Sequence, residues 1–87
     1  MATILLPRSL VALIPSAPRS SEVVASTVAE AIDRLDELAP GIRNRLVDAG
    51  PSLREHINVY VDREPASLTT PVRPDSTIHV IPAVSGG

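Results

Sequence analysis

The core of this chain has to be built almost without aromatic rings. Ten Val, nine Leu and seven Ile stand against a single aromatic residue, Tyr60, among 87 residues. A chain of this length buries only somewhat more than roughly 60% of the surface of its unfolded form, so an aliphatic core must be dense to hold it. One small domain is the expected product, and a two-domain enzyme with its own cofactor fold is excluded. The same scarcity of rings removes base-stacking platforms and aromatic ligand cages. Function is therefore expected at an edge or a terminus.

Charge narrows the choice of partner. Eight Arg against ten Asp plus Glu leave a net charge of −2, which gives no basic field able to hold phosphate backbones, so nucleic acid is not expected as a partner. All eight basic residues are Arg; without Lys there is no side-chain amine for Schiff-base chemistry or for an isopeptide bond. Without Cys there is no disulfide, thiolate nucleophile or thiolate metal site, in keeping with a reducing compartment. The apolar run Ile4 to Ile14 is split by Pro7 and Arg8, lacks a preceding basic segment and is too short to span a bilayer. A cytoplasmic protein without a membrane partner is expected.

The pattern along the chain predicts an α+β domain. Ala2 to Leu6 reads as a first strand ending at Pro7. Arg8 to Ser20 reads as an extended connection whose Leu10, Ala12 and Ile14 cover a core edge, and Ser21 to Ala25 as a second strand paired with the first. Thr27 and Glu30 form a capping box that starts a helix, with Val28, Ala31, Ile32, Leu35, Leu38 and Ala39 on its apolar side and Pro40-Gly41 at its end. Ile42 to Val47 allows a further short helical turn. Ile57, Val59 and Val61 alternate with Asn58 and Tyr60 in the clearest strand, followed by a turn at Asp62-Arg63-Glu64-Pro65 and a short irregular strand around Leu68. Pro74-Asp75-Ser76 turns into a last strand, Thr77 to Ile81, and Pro82 ends the regular structure. Ala83-Val84-Ser85-Gly86-Gly87 is uncharged and small; it is expected to project as a mobile tail reaching roughly 17 Å.

Several side chains invite functional readings. His56 and His79 fall on different elements without Cys or a second His at ligand spacing, so no metal site is expected. Glu30, Asp33, Asp36 and Glu37, interrupted by Arg34, read as a solvated helix face more readily than as an acid–base cluster. Tyr60 and His79 can meet across adjacent strands, as a docking patch or as a packing pair. Arg43 and Arg45 read as solvated, with an acidic partner surface as the alternative.

INVYVD at Ile57 to Asp62, the Leu-containing connection after it and the ending TIHVIPAVSGG resemble the ubiquitin-like sulfur carrier proteins of the MoaD and ThiS type. With GIRNRLVD at Gly41 to Asp48, they are most similar to the CysO-type carriers of thiocarboxylate-dependent cysteine synthesis. The resemblance implies a β-grasp fold over residues 1–82, with a mixed sheet around one main helix and a flexible tail at 83–87. It implies that the Gly87 carboxyl is adenylated and converted to a thiocarboxylate. Pro82, Ala83, Val84, Ser85 and Gly86 would then be the partner-binding tail, and the carrier itself would supply no catalytic side chain and bind no cofactor. ATP and a sulfur donor would be used by an E1-like adenylyltransferase or sulfurtransferase of the ThiF/MoeB type. The sulfur would pass to an accepting synthase, such as a PLP-dependent cysteine synthase or an enzyme of molybdopterin, thiamin or sulfur natural-product synthesis, and a JAMM-type metalloprotease is a further implied partner. Two departures stand out: Pro74-Asp75-Ser76 replaces the Asp-Gly-Asp of many relatives, and Arg8 to Ser20 matches poorly. A ubiquitin-type protein modifier and a β-grasp binding subunit that works through its sheet face alone remain the alternatives.

Overall fold

A computed structural model describes residues 1–50 and 52–82. In chain order the elements are β1 (Ala2–Leu5), α1 (Arg8–Leu13), β2 (Ser20–Val23), α2 (Val28–Leu38), α3 (Ile42–Leu46), β3 (Val47–Asp48), β4 (Ser52–Leu53), β5 (Ile57–Val61), β6 (Glu64–Ala66) and β7 (Thr77–Pro82). Five strands form one sheet in the order β2-β1-β7-β5-β6, and β3 and β4 make a separate two-stranded ribbon. β1 and β7 run parallel at the centre, while β1–β2, β5–β7 and β5–β6 are antiparallel. This is the β-grasp arrangement, an α+β fold in which a mixed sheet wraps α2.

The period-2 pattern of the strands sets which face is buried. Ala2 and Ile4 of β1, Val59 and Val61 of β5, and Ile78 and Val80 of β7 point inward and are buried. They meet Val28, Ala31, Ile32 and Leu35 of α2 and Ile42 and Leu46 of α3, all at most 2% exposed. Leu38 departs from the sequence expectation: at the last turn of α2 it lies on the margin of the apolar stripe and is exposed. The capping box forms, with the Glu30 N–H donating to Thr27 Oγ1 at 3.2 Å. The Glu30 carboxylate turns back to the N–H of Ser26, one residue before the cap, at 3.1 Å.

The segment after β1 is helical where an extended connection is expected. The carbonyl of Pro7 accepts from the N–H groups of Leu10 and Val11, starting α1, and Ile14 N–H closes on Leu10 O at 3.1 Å. Helical spacing decides the burial: Leu10 and Ile14, four apart, are in the core, while Ala12, which an extended chain would have aligned with them, is exposed. β2 starts one residue earlier than the sequence pattern indicates and stops at Val23, leaving Val24 exposed. Leu68 lies in a turn, half-buried against the core, not in a strand.

Two prolines sit inside strands, against expectation. The turn after β5 has only two residues, Asp62 and Arg63, both with positive φ (50° and 74°), so Glu64 already pairs with Val61 and Pro65 with Tyr60. β6 is the outer strand of the sheet, and beside a two-residue turn the Tyr60–Pro65 position is one where the missing N–H would face the open edge. Pro82 is the last residue of β7, opposite Ile57 and beyond the final β1 pair of Leu5 with His79, where a strand end tolerates proline.

An Arg at φ 74° carries the left-handed penalty that Gly avoids. Arg63→Gly is therefore expected to stabilise the domain by on the order of 0.5 kcal/mol, read as a higher urea midpoint at unchanged m-value.

Candidate functional site

The strand that leads to the C-terminal segment is the central one, and it is fixed at both ends. At its start, Thr77 N–H donates to Asp62 Oδ1 and Asp62 N–H donates to Thr77 O, each at 2.9 Å. The Thr77 N–H and then the Ser76 hydroxyl hold the Asp62 carboxyl below its ordinary value, against a smaller desolvation effect that the Arg73 charge in part offsets. The expected Pro74-Asp75-Ser76 turn is present: Ser76 is buried, its hydroxyl accepts from Arg73 N–H at 3.0 Å, and its carbonyl accepts from Thr3 N–H in β1.

At the other end of β7, Pro82 is half-buried beside Ile57. An apolar groove of about 450 Å³ runs along this exit, bounded by Leu5, Leu6, Pro7 and Arg19 on one side and by His79 to Pro82 on the other. On the outer face of the sheet His79 is flanked by Leu5 of β1 and Tyr60 of β5 in direct register. Tyr60 and His79 thus do come together, both half-buried, and Ile81 beside them is 45% exposed. Leu5 was not recognisable from the sequence, because ATILL is apolar at every position but Thr3 and has no alternation to assign a face. Ala83, Val84, Ser85, Gly86 and Gly87, the residues of the expected tail, lie outside the described residues.

The other candidate groups are spent on the fold. Asp36 Oδ1 accepts from the N–H groups of Gly41 (3.0 Å) and Arg43 (3.1 Å), fastening α3 to α2 across the left-handed Gly41 (φ 104°). Asp33 pairs with Arg43 Nε at 2.9 Å, Glu37 with Arg34 at 3.2 Å, and Glu30 belongs to the helix cap. The acidic face of α2 is therefore structural and surface charge, not an acid–base centre. Arg43 and Arg45 part company, because only Arg43 joins the α2–α3 junction. His56, exposed in the turn before β5, and His79 share no site, and the described residues hold no group of three or more His, Cys, Asp or Glu placed to bind a metal. No helix among the described residues is long and apolar enough to cross a membrane.

The family model of the ThiS family matches residues 4–87. The chain belongs to the ThiS family. Among solved structures it is similar to the BexX/CysO complex of Amycolatopsis orientalis, with 33% identity and a TM-score of 0.89 over 100% of both chains. The CysO of Mycobacterium tuberculosis, described as an antigen, matches at 25% identity and TM-score 0.85, over 97% of this chain and 100% of the other. SAMP1 of Haloferax volcanii matches at 27% and 0.81, over 99% and 98%. No curated protein matches in sequence. The β-grasp expectation is thereby borne out, as is the likeness to CysO, and this ThiS-family domain carries the ubiquitin-like fold of sulfur carriers and modifiers.

The Asp62–Thr77 clasp makes the anchoring of β7 sensitive to acid. Asp62 has a lowered pKa in the folded state, so the unfolded state binds more protons in the acid range. Its contribution is complete above the ordinary carboxylate pKa and is lost as the pH falls through the lower, folded value. Asp62→Asn keeps an acceptor for Thr77 but loses the charge. Urea unfolding from pH 6 down to pH 2 is expected to show a smaller acid-induced loss of stability in the variant than in the wild type.

Proposed function

We propose that this chain is a sulfur carrier whose Gly87 carboxylate is activated and then bears the sulfur. What supports the reading is the ThiS-family match running through residue 87, together with a central strand that ends at Pro82 immediately before Ala-Val-Ser-Gly-Gly. A carboxylate is a poor electrophile. In an adenylating enzyme one Gly87 oxygen attacks the α-phosphorus of ATP, pyrophosphate leaves, and the acyl adenylate acquires AMP as a good leaving group. A sulfide-level donor then attacks the acyl carbon, the C–O bond to AMP breaks, and a thiocarboxylate remains with the loss of a proton. Its anionic sulfur is the nucleophile presented to an accepting enzyme.

The domain contributes delivery and no catalytic side chain. Gly86 and Gly87 lack Cβ atoms and accept backbone angles and channel widths closed to other residues. Pro82 restricts φ at the base of the segment, and Ala83, Val84 and Ser85 are small enough to follow the glycines into a narrow passage. The activating enzyme is of the ThiF/MoeB type. The acceptor is a PLP-dependent cysteine synthase, in line with the similarity to the two CysO structures, and a JAMM-type metalloprotease would act on products of the pathway. The setting is cytoplasmic.

A second reading, a ubiquitin-like modifier, is favoured by the similarity to SAMP1. It shares the adenylate but ends in an isopeptide bond on a target Lys. Having no Lys, this sequence offers no side-chain amine for chains of itself. High-mass adducts resistant to thiols and hydroxylamine would mark that outcome.

Removal of Gly87 is expected to abolish ATP–pyrophosphate exchange with the cognate adenylating enzyme. Gly86→Val is expected to lower it on the order of tenfold or more while thermal unfolding is unchanged. Exchange that survives both changes would contradict the assignment of Gly87 as the activated residue.

A further inference from the structure

The Arg43/Arg45 pair singled out in the sequence is divided by the fold, and the half not used for packing lies in a second groove. Arg43 is held by Asp33. Arg45, three residues after the start of α3, lines a groove of about 830 Å³ together with Arg54, His56 and the apolar Leu10, Leu13 and Ile57. Arg54 is set in place by α3: its Nε donates to Asn44 O at 2.7 Å and its backbone N–H to Leu46 O at 2.9 Å. The remaining guanidinium donors are left to other acceptors. Among the described residues neither Arg45 nor Arg54 forms an ion pair. Leu13, on the rim, is 56% exposed, a large apolar side chain in water.

The groove adjoins the exit of β7. Ile57 in its wall is the direct cross-strand partner of Pro82, so the groove begins about 5 Å, one strand spacing, from the base of the C-terminal segment. It is also cationic in a protein whose net charge is −2. Glu55, between Arg54 and His56, is exposed and is not among the groove's lining residues, and most other carboxylates lie elsewhere: Glu30, Asp33, Asp36 and Glu37 on α2, and Asp62, Glu64 and Asp75 around the start of β7 and its neighbouring turn. A protein that takes up the segment beyond Pro82 comes within one strand spacing of this rim, and the first to do so on the carrier reading is the activating enzyme.

We infer that the Arg45–Arg54–His56 groove is the docking surface for an acidic segment of the adenylating enzyme, with an apolar side chain of that segment seated against Leu13 and Ile57. The inference rests on the carrier reading. Two guanidinium groups, one fixed by a main-chain carbonyl, accept carboxylates in defined geometry, and opposite charge at the rim raises the rate of encounter and sets the orientation in which the tail enters.

The test is steady-state pyrophosphate release by the purified cognate adenylating enzyme at saturating ATP and with excess sulfide to discharge the adenylate, with the carrier as the varied substrate. Arg45→Glu/Arg54→Glu is expected to raise KM for the carrier by about tenfold or more, to leave kcat within about twofold, and to remove most of the salt dependence of kcat/KM. Arg34→Glu, on the exposed side of α2, makes a charge reversal outside the groove and is expected to leave KM unchanged. Thermal unfolding checks that the variants fold, and Arg45→Gln alone serves if the double variant does not. Protein lacking Gly87 adds a second readout, because it is expected to inhibit competitively through the groove and to lose that inhibition with the two Arg changes. Normal KM and salt dependence in the folded variants would overturn the groove assignment and leave the carrier reading intact. No activation of the wild type would overturn the carrier reading, and this inference with it.

Discussion

The parallel pairing of β1 with β7 is the constraint on which the rest of the domain depends. Parallel neighbours cannot be joined by a tight turn, so between Leu5 and Thr77 the chain has to cross one face of the sheet on its way from β2 to β5. That passage is α2, whose buried side lies on the aliphatic inner face formed by Ile4, Val59, Val61, Ile78 and Val80. β7 is flanked by β1 and β5 through His79 and by β5 on to Pro82, so its last residues extend from the middle strand of the sheet and not from an edge strand. Whatever follows Pro82 is thus attached to the best-supported strand of the fold.

The polar groups fall into two sets. Those on α2 and at the start of β7 hold the architecture: Glu30 at a helix cap, Asp36 and Asp33 at the α2–α3 junction, Asp62 at the Thr77 main chain. Those around the far end of β7, namely Arg19, Arg45, Arg54 and His56, line open grooves. Structural carboxylates in one region and, in another, arginines that form no ion pair among the described residues give a small protein of modest net charge a distinct electrostatic face at the place where its chemistry is proposed.

Much of this was legible in the sequence. The capping box, the apolar spacing of α2 and the alternation in INVYV and TIHVI each follow from local rules, and the structure obeys them. The parts that were not legible depend on tertiary context. Arg8 to Leu13 holds apolar residues at both two- and four-residue spacing, and the choice between strand and helix is made by the burial of Leu10 and Ile14. Pro65 and Pro82 argue against strands until one knows that one lies on an outer strand and the other beyond its neighbour's last pair. The two-residue strands β3 and β4 have too little sequence to show a period. The groove of Arg45, Arg54 and His56 joins residues from α3 and the approach to β5, a juxtaposition that only the fold creates.

The most direct test of the proposed chemistry is the mass of the C-terminal peptide after incubation with the cognate adenylating enzyme, ATP and a sulfide donor. Intact mass is insufficient, since oxidation of Met1 adds almost the same increment as exchange of oxygen for sulfur. If Gly87 carries the sulfur, the increment maps to the peptide containing Gly87, depends on ATP, is lost on hydrolysis to the carboxylate, and is replaced by the mass of an S-alkyl thioester when the sulfur is alkylated. A C-terminal peptide that stays at the mass of the free carboxylate with an enzyme shown to be active would contradict it.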